Sequence, residues 1–330
     1  GRLAPRAVRG PSGACGAPTG ATSLLSDQVA VCYSGYRAGQ SPDTGVYPSR
    51  EQVIEDLRIV AKIFREIRLY DAGPHADLVL EAIAMEELGL KVFLGAYLQA
   101  EVSNPECPWG GVYPDDELAR NRVENEAEVR RAIALANQYP SIVTSVSVGN
   151  EATVSWTDHL VSVERVIAHA QALKAGIDQP ITFCENHVPW MDKLAPLVAE
   201  LDFISVHTYP LWERRPVEQA IEVTNDDYER ISGRYPGVPV AITEAGWTTR
   251  SNGRGGMDPS HASPEAQCRY IEDLIQWADD RKVKTYLFEA FDEPWKGSDD
   301  PDEPEKHWGL FTEARRPKPV MKARYPELVR

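Results

Sequence analysis

The sequence lacks three features that mark common functional classes. It has no apolar run long enough to span a membrane, so we expect no membrane insertion. Its 35 basic residues are outnumbered by 50 acidic ones, and the formal charge of −15 argues against nucleic acid and anionic membrane surfaces as partners. It also has no Gly-rich phosphate-binding turn after the first predicted strand, because residues 35–39 do not match GxGxxG. A neutral substrate suits this composition.

Cysteine is scarce and scattered. The five cysteines form no CxxC pair and no metal-ligand spacing, so no metal site is predicted from them. Cys32 and Cys184 fall inside predicted strands, where a buried free thiol is the expected state. The odd count argues against a disulfide scaffold.

Residues 29–330 alternate between apolar strand patterns and amphipathic helix patterns. Eight such repeats predict a parallel sheet closed into a single α/β domain, a (β/α)8 TIM barrel; a doubly wound open sheet is the alternative. The predicted strands are residues 29–34, 66–70, 91–98, 142–149, 180–185, 202–208, 239–244 and 284–291. The predicted helices are residues 49–64, 75–88, 115–138, 157–175, 190–200, 217–234 and 264–281.

Residues 1–28 do not show this alternation of strand and helix patterns. They contain three arginines by position 9, followed by small residues and prolines, without a continuous apolar stretch. This composition does not match an intact signal peptide and favours a flexible leader before the barrel.

Two strands end in a glutamate at equivalent places. Val143–Val148 is an apolar and small-residue run that ends in Gly149, Asn150 and Glu151, and the run at 239–243 ends in Glu244. In a (β/α)8 barrel the carboxyl ends of the strands face the active-site mouth. Paired carboxylates at that mouth are the groups that cleave glycosidic bonds.

Tryptophans concentrate in the predicted loops after the strands. Seven of the eight lie there, and only Trp277 falls in a predicted helix. Indole rings have flat apolar faces and a polar edge, which suits the C–H faces of sugars, although core packing is the ordinary role of any single tryptophan. We expect Trp247 and Trp295 to line the cleft with exposed ring faces. The loop tryptophans are Trp109, Trp156, Trp190, Trp212, Trp247, Trp295 and Trp308.

Seven short motifs together resemble glycoside hydrolase family 17 over residues 29–317. The Asn-Glu and Glu-Ala-Gly-Trp motifs are shared with a wider clan of retaining barrel glycosidases, whereas the last two motifs narrow the resemblance to this family. It implies a retaining enzyme, active on β-1,3-glucan, that needs no cofactor or metal. The motifs are Tyr33–Gln40, Ile67–Asp71, Val148–Glu151, His207–Pro210, Thr243–Trp247, Phe291–Lys296 and His307–Phe311.

The resemblance also implies roles for individual residues. Glu151 matches the general acid/base and Glu244 the nucleophile, a pair that a retaining mechanism separates by about 5–5.5 Å. Asn150 matches the residue that hydrogen-bonds the 2-hydroxyl of the cleaved sugar. Tyr209 matches the tyrosine that orients the nucleophile, and His207 lies two residues before it. The other implied substrate-binding residues are Tyr33, Arg68, Asp71, Trp247, Glu293, Trp295 and Lys296.

For several of these residues a purely structural role stays open. Arg68 and Asp71 could form a structural ion pair, and Asn150 could be a helix N-cap. Glu185, after the fifth strand, is a rival carboxylate that we expect to form hydrogen bonds at the barrel mouth. The acidic run 298–305 is expected to be a solvated loop.

The resemblance leaves the reaction itself open between alternatives. Hydrolysis of β-1,3-glucan is the leading hypothesis; a glucanosyltransferase would pass the same glycosyl-enzyme to a sugar, and aromatics such as Trp156 or Trp212 would hold that acceptor. A non-catalytic carbohydrate-binding barrel would need neither glutamate. We expect a secreted or periplasmic monomer whose partner is a β-glucan oligosaccharide or polysaccharide.

Overall fold

Eight short segments form parallel strands, each hydrogen-bonded to the next in sequence, and the last pairs back with the first. The computed structural model describes Cys15 and residues 24–329. The predicted (β/α)8 barrel is therefore confirmed, and the open sheet is excluded. The strands are β1 (Val29–Cys32), β2 (Glu66–Arg68), β3 (Lys91–Ala96), β4 (Val143–Asn150), β5 (Ile181–Asn186), β6 (Ile204–His207), β7 (Val240–Gly246) and β8 (Thr285–Phe288).

Helices cover the outside of the barrel between consecutive strands. The predicted capping box is present: Ser49 accepts a hydrogen bond from the Gln52 backbone, and the Gln52 side chain accepts one from the Ser49 backbone. The helices are α1 (Arg50–Ala61), α2 (Pro74–Met85), α3 (Asp115–Gln138), α4 (Val163–Gly176), α5 (His187–Trp190), α6 (Ala195–Val198), α7 (Val217–Arg234), α8 (Pro264–Arg281) and α9 (Pro319–Lys322). None of these described helices is long and apolar enough to cross a membrane.

One predicted helix begins later than expected. The sequence pattern placed its start at residue 157, but α4 starts at Val163, where the Ser162 hydroxyl accepts a hydrogen bond from the Arg165 backbone. Residues 151–162 instead form a loop at the barrel mouth. The predicted helix 190–200 is divided between α5 and α6.

The barrel has an inner and an outer core, because successive strand residues point to opposite faces. The outer core lies between the strands and the helices and contains most of the buried aliphatic side chains. The inner core is small and includes the rings of Phe93 and Tyr286 beside the thiols of Cys32 and Cys184. Both thiols are buried and free, as predicted.

A disulfide joins Cys15 to Cys268 on α8, across 253 residues of sequence. The odd cysteine count argues against a disulfide scaffold and gave no sign of this one bridge, because spacing along the chain does not show which cysteines meet in the fold. Most of the predicted flexible leader, residues 1–28, lies outside the described residues. Within it, Leu25 packs against the outer core, and its backbone N–H donates to Ile63 O.

The acidic run 298–305 is not simply a solvated loop. Glu303 is buried and pairs with Arg254 at 2.9 Å, and Asn252 donates to Asp300. Both partners lie in the loop after β7, so the loops after β7 and β8 are joined. The carboxylates face a neighbouring loop rather than water alone, a contact that the local sequence pattern cannot show.

Candidate active site

Glu151 and Glu244 lie at the same end of the barrel, directly after β4 and near the end of β7. His207, the last residue of β6, lies between them. One carboxylate oxygen of each glutamate and one ring nitrogen of His207 all fall within 4.8 Å of one another. This separation agrees with the carboxylate spacing of retaining glycosidases.

Glu244 is buried, and four side chains approach its carboxylate. Arg68 Nη1 and the Tyr70 hydroxyl donate to Oε1 at 2.9 and 2.7 Å, and the Tyr209 hydroxyl donates to Oε2 at 2.6 Å. His207 Nδ1 lies 3.3 Å from Oε2. These contacts fix both the orientation and the charge of the carboxylate.

The pKa of Glu244 is lowered by this environment. Burial alone would raise it, but the charges of His207 and Arg68 and the hydroxyls of Tyr209 and Tyr70 outweigh burial because they stabilise the ionised form. An ionised carboxylate that is buried and oriented is what a nucleophile requires.

His207 connects the two glutamates. It is fully buried, and its Nδ1 donates to Glu151 Oε1 at 2.9 Å. Burial would lower its pKa, but Glu244, Cys184 and Glu151 raise it to about 10. Arg68 Nη1 lies 3.3 Å from Nε2 on the other side of the ring.

The same three side chains could by distance ligate a metal ion, but their surroundings disfavour one. Arg68 places a fixed positive charge 2.9 Å from Glu244 and 3.3 Å from His207. Repulsion between this guanidinium and a metal cation would oppose binding.

Glu151 adopts a left-handed backbone conformation, with φ of 47°. Such a conformation costs a non-glycine residue about 1–3 kcal/mol and persists only where neighbours enforce it. The preceding Gly149 has φ of 90°, and a Cβ there would lie 3.0 Å from the Phe183 ring. The Glu151 N–H donates to Cys184 O on β5 at 2.8 Å, which holds the turn at the strand end.

The chain after Glu151 is held at two further points. His159 Nε2 donates back to Asn150 O at 2.8 Å. The backbone and hydroxyl of Thr153 both donate to Glu185 Oε2, at 3.0 and 2.7 Å. Glu185 is fully buried, and burial together with the nearby Glu151 charge raises its pKa to about 7. It therefore supports the backbone beside Glu151, in agreement with the hydrogen-bonding role expected for it.

A second ionic cluster follows β8. Lys296 Nζ lies 2.7 Å from Glu289 and 3.6 Å from Glu293, and it also lies over the Phe288 ring. Glu293 is buried and accepts hydrogen bonds from the Gly35 backbone and the Trp295 indole. Glu293 thus holds the loop after β8 against the loop after β1, and Lys296 pairs with carboxylates within the loop after β8.

The structure brings several predicted residues together directly at the carboxylates. Arg68 Nη2 donates to Asn150 Oδ1 at 2.6 Å while Nη1 contacts Glu244. Arg68 is buried inside the barrel, so it positions these groups rather than touching a sugar. Its partner is Glu244 and not Asp71, whose carboxylate accepts from the Gly73 backbone instead.

Tyr33 and Trp247 were predicted to bind substrate, but this prediction is wrong because both side chains are buried. The Tyr33 hydroxyl donates to Asp56 on α1, and the Trp247 indole donates to His261 O. Side chains two positions apart on a strand point to the same face. The residue two positions before each of these packs in the outer core, so Tyr33 and Trp247 also point towards the helices.

The seven loop tryptophans fall into three groups by solvent exposure. Three of them are buried in the core, so only the other four rings could contact a sugar. Trp190, Trp247 and Trp308 are buried, Trp212 and Trp295 are half-buried, and Trp109 and Trp156 are exposed.

Tyr70 was missing from the predicted site. Its hydroxyl donates to the Glu244 carboxylate, and its ring lies 4.2 Å from the Arg68 guanidinium. The sequence carried a signal for it: Tyr70 follows Arg68 by two residues, and so it belongs to the same face of β2 and its continuation.

Comparison with known proteins identifies the family of this chain. The sequence profile of the BtgE/BtgC glycoside hydrolase domain matches residues 30–309. The chain belongs to this family of glycoside hydrolase domains. Among curated relatives, a probable glucan endo-1,3-beta-glucosidase of Aspergillus fumigatus is 25% identical over 296 residues. The match covers 83% of this chain but only 40% of that relative, so the chain spans less than half the length of this longer protein.

Solved structures of glucan-active enzymes share the barrel. An endo-laminarinase from Formosa superposes with a TM-score of 0.74 at 25% identity, covering 89% of this chain and 85% of that one. A glycoside hydrolase family 17 beta-1,3-glucanosyltransferase from Rhizomucor miehei gives a TM-score of 0.68 at 20% identity, covering 89% and 96%. The second likeness shows a common fold alone.

Proposed function

We propose that this BtgE/BtgC domain is a retaining glycoside hydrolase of family 17 that cleaves β-1,3-glucosidic bonds in β-glucan. One observation carries the proposal: a buried Glu244 held ionised by four side chains, with a Glu151 oxygen within 4.8 Å. The names of the Aspergillus and Formosa relatives support the substrate class.

In the first step, Glu244 attacks the anomeric carbon while protonated Glu151 gives its proton to the departing glycosidic oxygen. The bond from carbon to that oxygen breaks, and an ester bond from carbon to Glu244 forms. In the second step, Glu151 takes a proton from water, whose oxygen displaces Glu244. Glu151 can exchange its proton because 30% of its side chain is accessible to solvent.

The surrounding residues would serve these two steps by positioning. Tyr70, Tyr209 and Arg68 hold the attacking carboxylate, and His207 fixes the distance between the two glutamates. Asn150 lies beside Arg68 at the same strand end, where its amide can meet the 2-hydroxyl of the sugar. Trp295 and Lys296, both half-buried after β8, are candidates for further sugar contacts.

Transfer to a sugar is the second candidate function. It would use the same glycosyl-enzyme, with a sugar hydroxyl in place of water. The observation that favours it is Trp156, an exposed ring five residues after Glu151. Mass spectrometry of products from linear β-1,3-glucan decides: products longer than the substrate mean transfer, and shorter products alone mean hydrolysis.

We also propose that the protein acts outside the cytoplasm as a monomer. The bond between Cys15 and Cys268 supports the compartment, because disulfides persist mainly in oxidising environments.

Azide rescue tests the two assigned roles. Glu244→Ala should lower turnover by several orders of magnitude, because no glycosyl-enzyme can form. Glu151→Ala should still cleave a β-glucoside with an activated leaving group in the first step and then stall. Added azide should give the β-glycosyl azide with Glu151→Ala and the α-azide with Glu244→Ala.

The exposed Glu81 on α2 provides a matched control, and Glu81→Ala should behave as wild type. Opposite anomers would mean that the two roles are exchanged. Full activity in both active-site variants would place the catalytic pair elsewhere.

A further inference from the structure

Three side chains outside the catalytic pair meet where α5 packs against α7, and we call them the His187 cluster. They are His187, the first residue of α5, Glu213 in the loop after β6, and Asp227 on α7. One ring nitrogen of His187 and one oxygen of each carboxylate lie within 4.8 Å of one another. Imidazole and carboxylate groups are ligands of first-row divalent metal ions, Zn²⁺ among them.

The His187 imidazole is buried, and only one of its two nitrogens is hydrogen-bonded. Its side chain is 9% exposed, and Nε2 donates to Glu213 Oε1 at 2.8 Å. Nδ1 has no hydrogen-bond partner and faces Asp227 Oδ1 at 3.4 Å. Two ligands of a tetrahedral Zn²⁺ ion lie about 3.4 Å apart, because each bond is about 2.0–2.1 Å long. Nδ1 and Asp227 Oδ1 therefore already have the separation of two ligands of one ion.

Asp227 is buried, and a residue outside the cluster fixes its orientation. The Thr208 hydroxyl donates to Oδ2 at 2.7 Å, while Oδ1 faces His187. Carboxylates that ligate metals are themselves held by hydrogen bonds of this kind. The Glu213 side chain is 38% exposed, so a rotation about its own bonds can bring an oxygen to the same point.

The charge of the cluster also favours a cation. No lysine or arginine of residues 24–329 forms an ion pair with Glu213 or Asp227, whose ionic partner is His187. The charges of Arg215 and Arg230 act on Glu213 from beyond ion-pairing distance. Burial raises the pKa of Asp227 despite the opposing charges of His187 and Arg230. A divalent cation would compensate both carboxylates, which the catalytic pair already achieves with an arginine.

We propose that His187, Asp227 and Glu213 form a binding site for a divalent metal ion of the zinc type. The ion would join the start of α5, the loop after β6 and α7. Thr208 and Glu213 bracket Tyr209, and the Glu213 N–H donates to Tyr209 O at 3.3 Å. A bound ion would therefore stabilise the fold and brace the Tyr209 segment without touching a sugar. The site is independent of the proposed function, which requires no metal.

Zinc titration of the full chain, without an affinity tag, tests the site. In isothermal titration calorimetry the wild type should bind one Zn²⁺ with micromolar affinity, and Zn²⁺ should raise the melting temperature above its value in EDTA. Ca²⁺ and Mg²⁺ at the same concentration should not, because these ions prefer ligand sets made of oxygen alone. His187→Gln and Asp227→Asn, which nearly preserve side-chain volume, should each weaken Zn²⁺ binding at least about tenfold.

His261→Gln is the matched control, because His261 is a partly exposed histidine that pairs with a single carboxylate, Asp258, at 3.8 Å. This variant should bind Zn²⁺ as the wild type does. Undetectable Zn²⁺ binding by the wild type would overturn the site. Binding that survives in both His187→Gln and Asp227→Asn would overturn it as well, because the ion would then lie elsewhere.

Glu213→Gln separates a lost ligand from a damaged fold if the two buried variants also melt at a lower temperature in EDTA. Because the Glu213 side chain is partly exposed, its replacement should change the melting temperature in EDTA little. It should still weaken Zn²⁺ binding and reduce the rise in melting temperature that Zn²⁺ causes. Wild-type affinity in Glu213→Gln would refute the three-ligand site.

Discussion

At the scale of single residues, the site is defined by what surrounds one carboxylate. Arg68, Tyr70 and Tyr209 donate to Glu244 from β2 and from the segments that follow β2 and β6. A buried carboxylate without such partners would take up a proton. The three donors thus control protonation as much as geometry.

Replacing one donor should shift the pH dependence of activity. Tyr209→Phe removes the bond to Oε2 and raises the pKa of Glu244, so the ionised nucleophile is lost at a higher pH. We expect the acid limb of the kcat/KM profile to move upward by about one pH unit. Tyr228→Phe on α7 is the control, and a limb that stays in place would mean that Tyr209 does not stabilise the ionised form.

At the scale of elements, the loops and helices around the barrel carry a separate ionic network. Glu101, in the loop after β3, accepts from Asn125 on α3 and from Arg165 and His169 on α4. Burial would raise its pKa, but hydrogen bonds from His169, Arg165 and Asn125 lower it to about 2. The network fastens the loop after β3 to α3 and α4.

This network should contribute to stability in a pH-dependent way. Because the folded pKa of Glu101 is lowered, its contribution is complete above the unfolded value of about 4.3 and is lost as the pH falls towards 2. Glu101→Gln should therefore lower the free energy of unfolding at pH 7 by about 2–3 kcal/mol.

Urea denaturation between pH 7 and pH 2.5 measures this difference, which should shrink below pH 5. Glu124→Gln, at an exposed site on α3, should change stability little. A difference that is constant with pH would refute the charge-based explanation.

At the scale of the whole molecule, a single covalent link connects distant parts of the chain. The Cys15–Cys268 bond closes a loop that contains seven of the helices that surround the barrel and the beginning of α8. Constraining the unfolded chain over such a length stabilises the folded state by about 2–4 kcal/mol.

Removal of this link should lower thermal stability without altering the site. Cys15→Ser is expected to lower the melting temperature by about 5–10 °C, and a reducing agent should do the same to the wild type but not to the variant. Cys107→Ser, which replaces a free thiol, is the control. A reductant effect of equal size in Cys15→Ser would show that the bridge is not responsible.

Local patterns along the chain were enough to predict the barrel, because strand and helix periods are properties of neighbouring residues. Eight apolar runs, the Ser49 capping box and the glutamates at two strand ends are all readable in this way. The family motifs added the pairing of Glu151 with Glu244. The same reasoning failed at Tyr33 and Trp247, because the direction of each side chain depends on both strand alternation and helix packing.

Contacts between distant segments were decided only in three dimensions. The sequence by itself determined the order of elements and the residues at the mouth of the barrel. Tertiary structure decided that Arg68 serves Glu244 rather than Asp71, that Tyr70 joins the site, and that Cys15 meets Cys268. The physical reason is that barrel closure brings together residues far apart in the chain, and no local pattern records their partners.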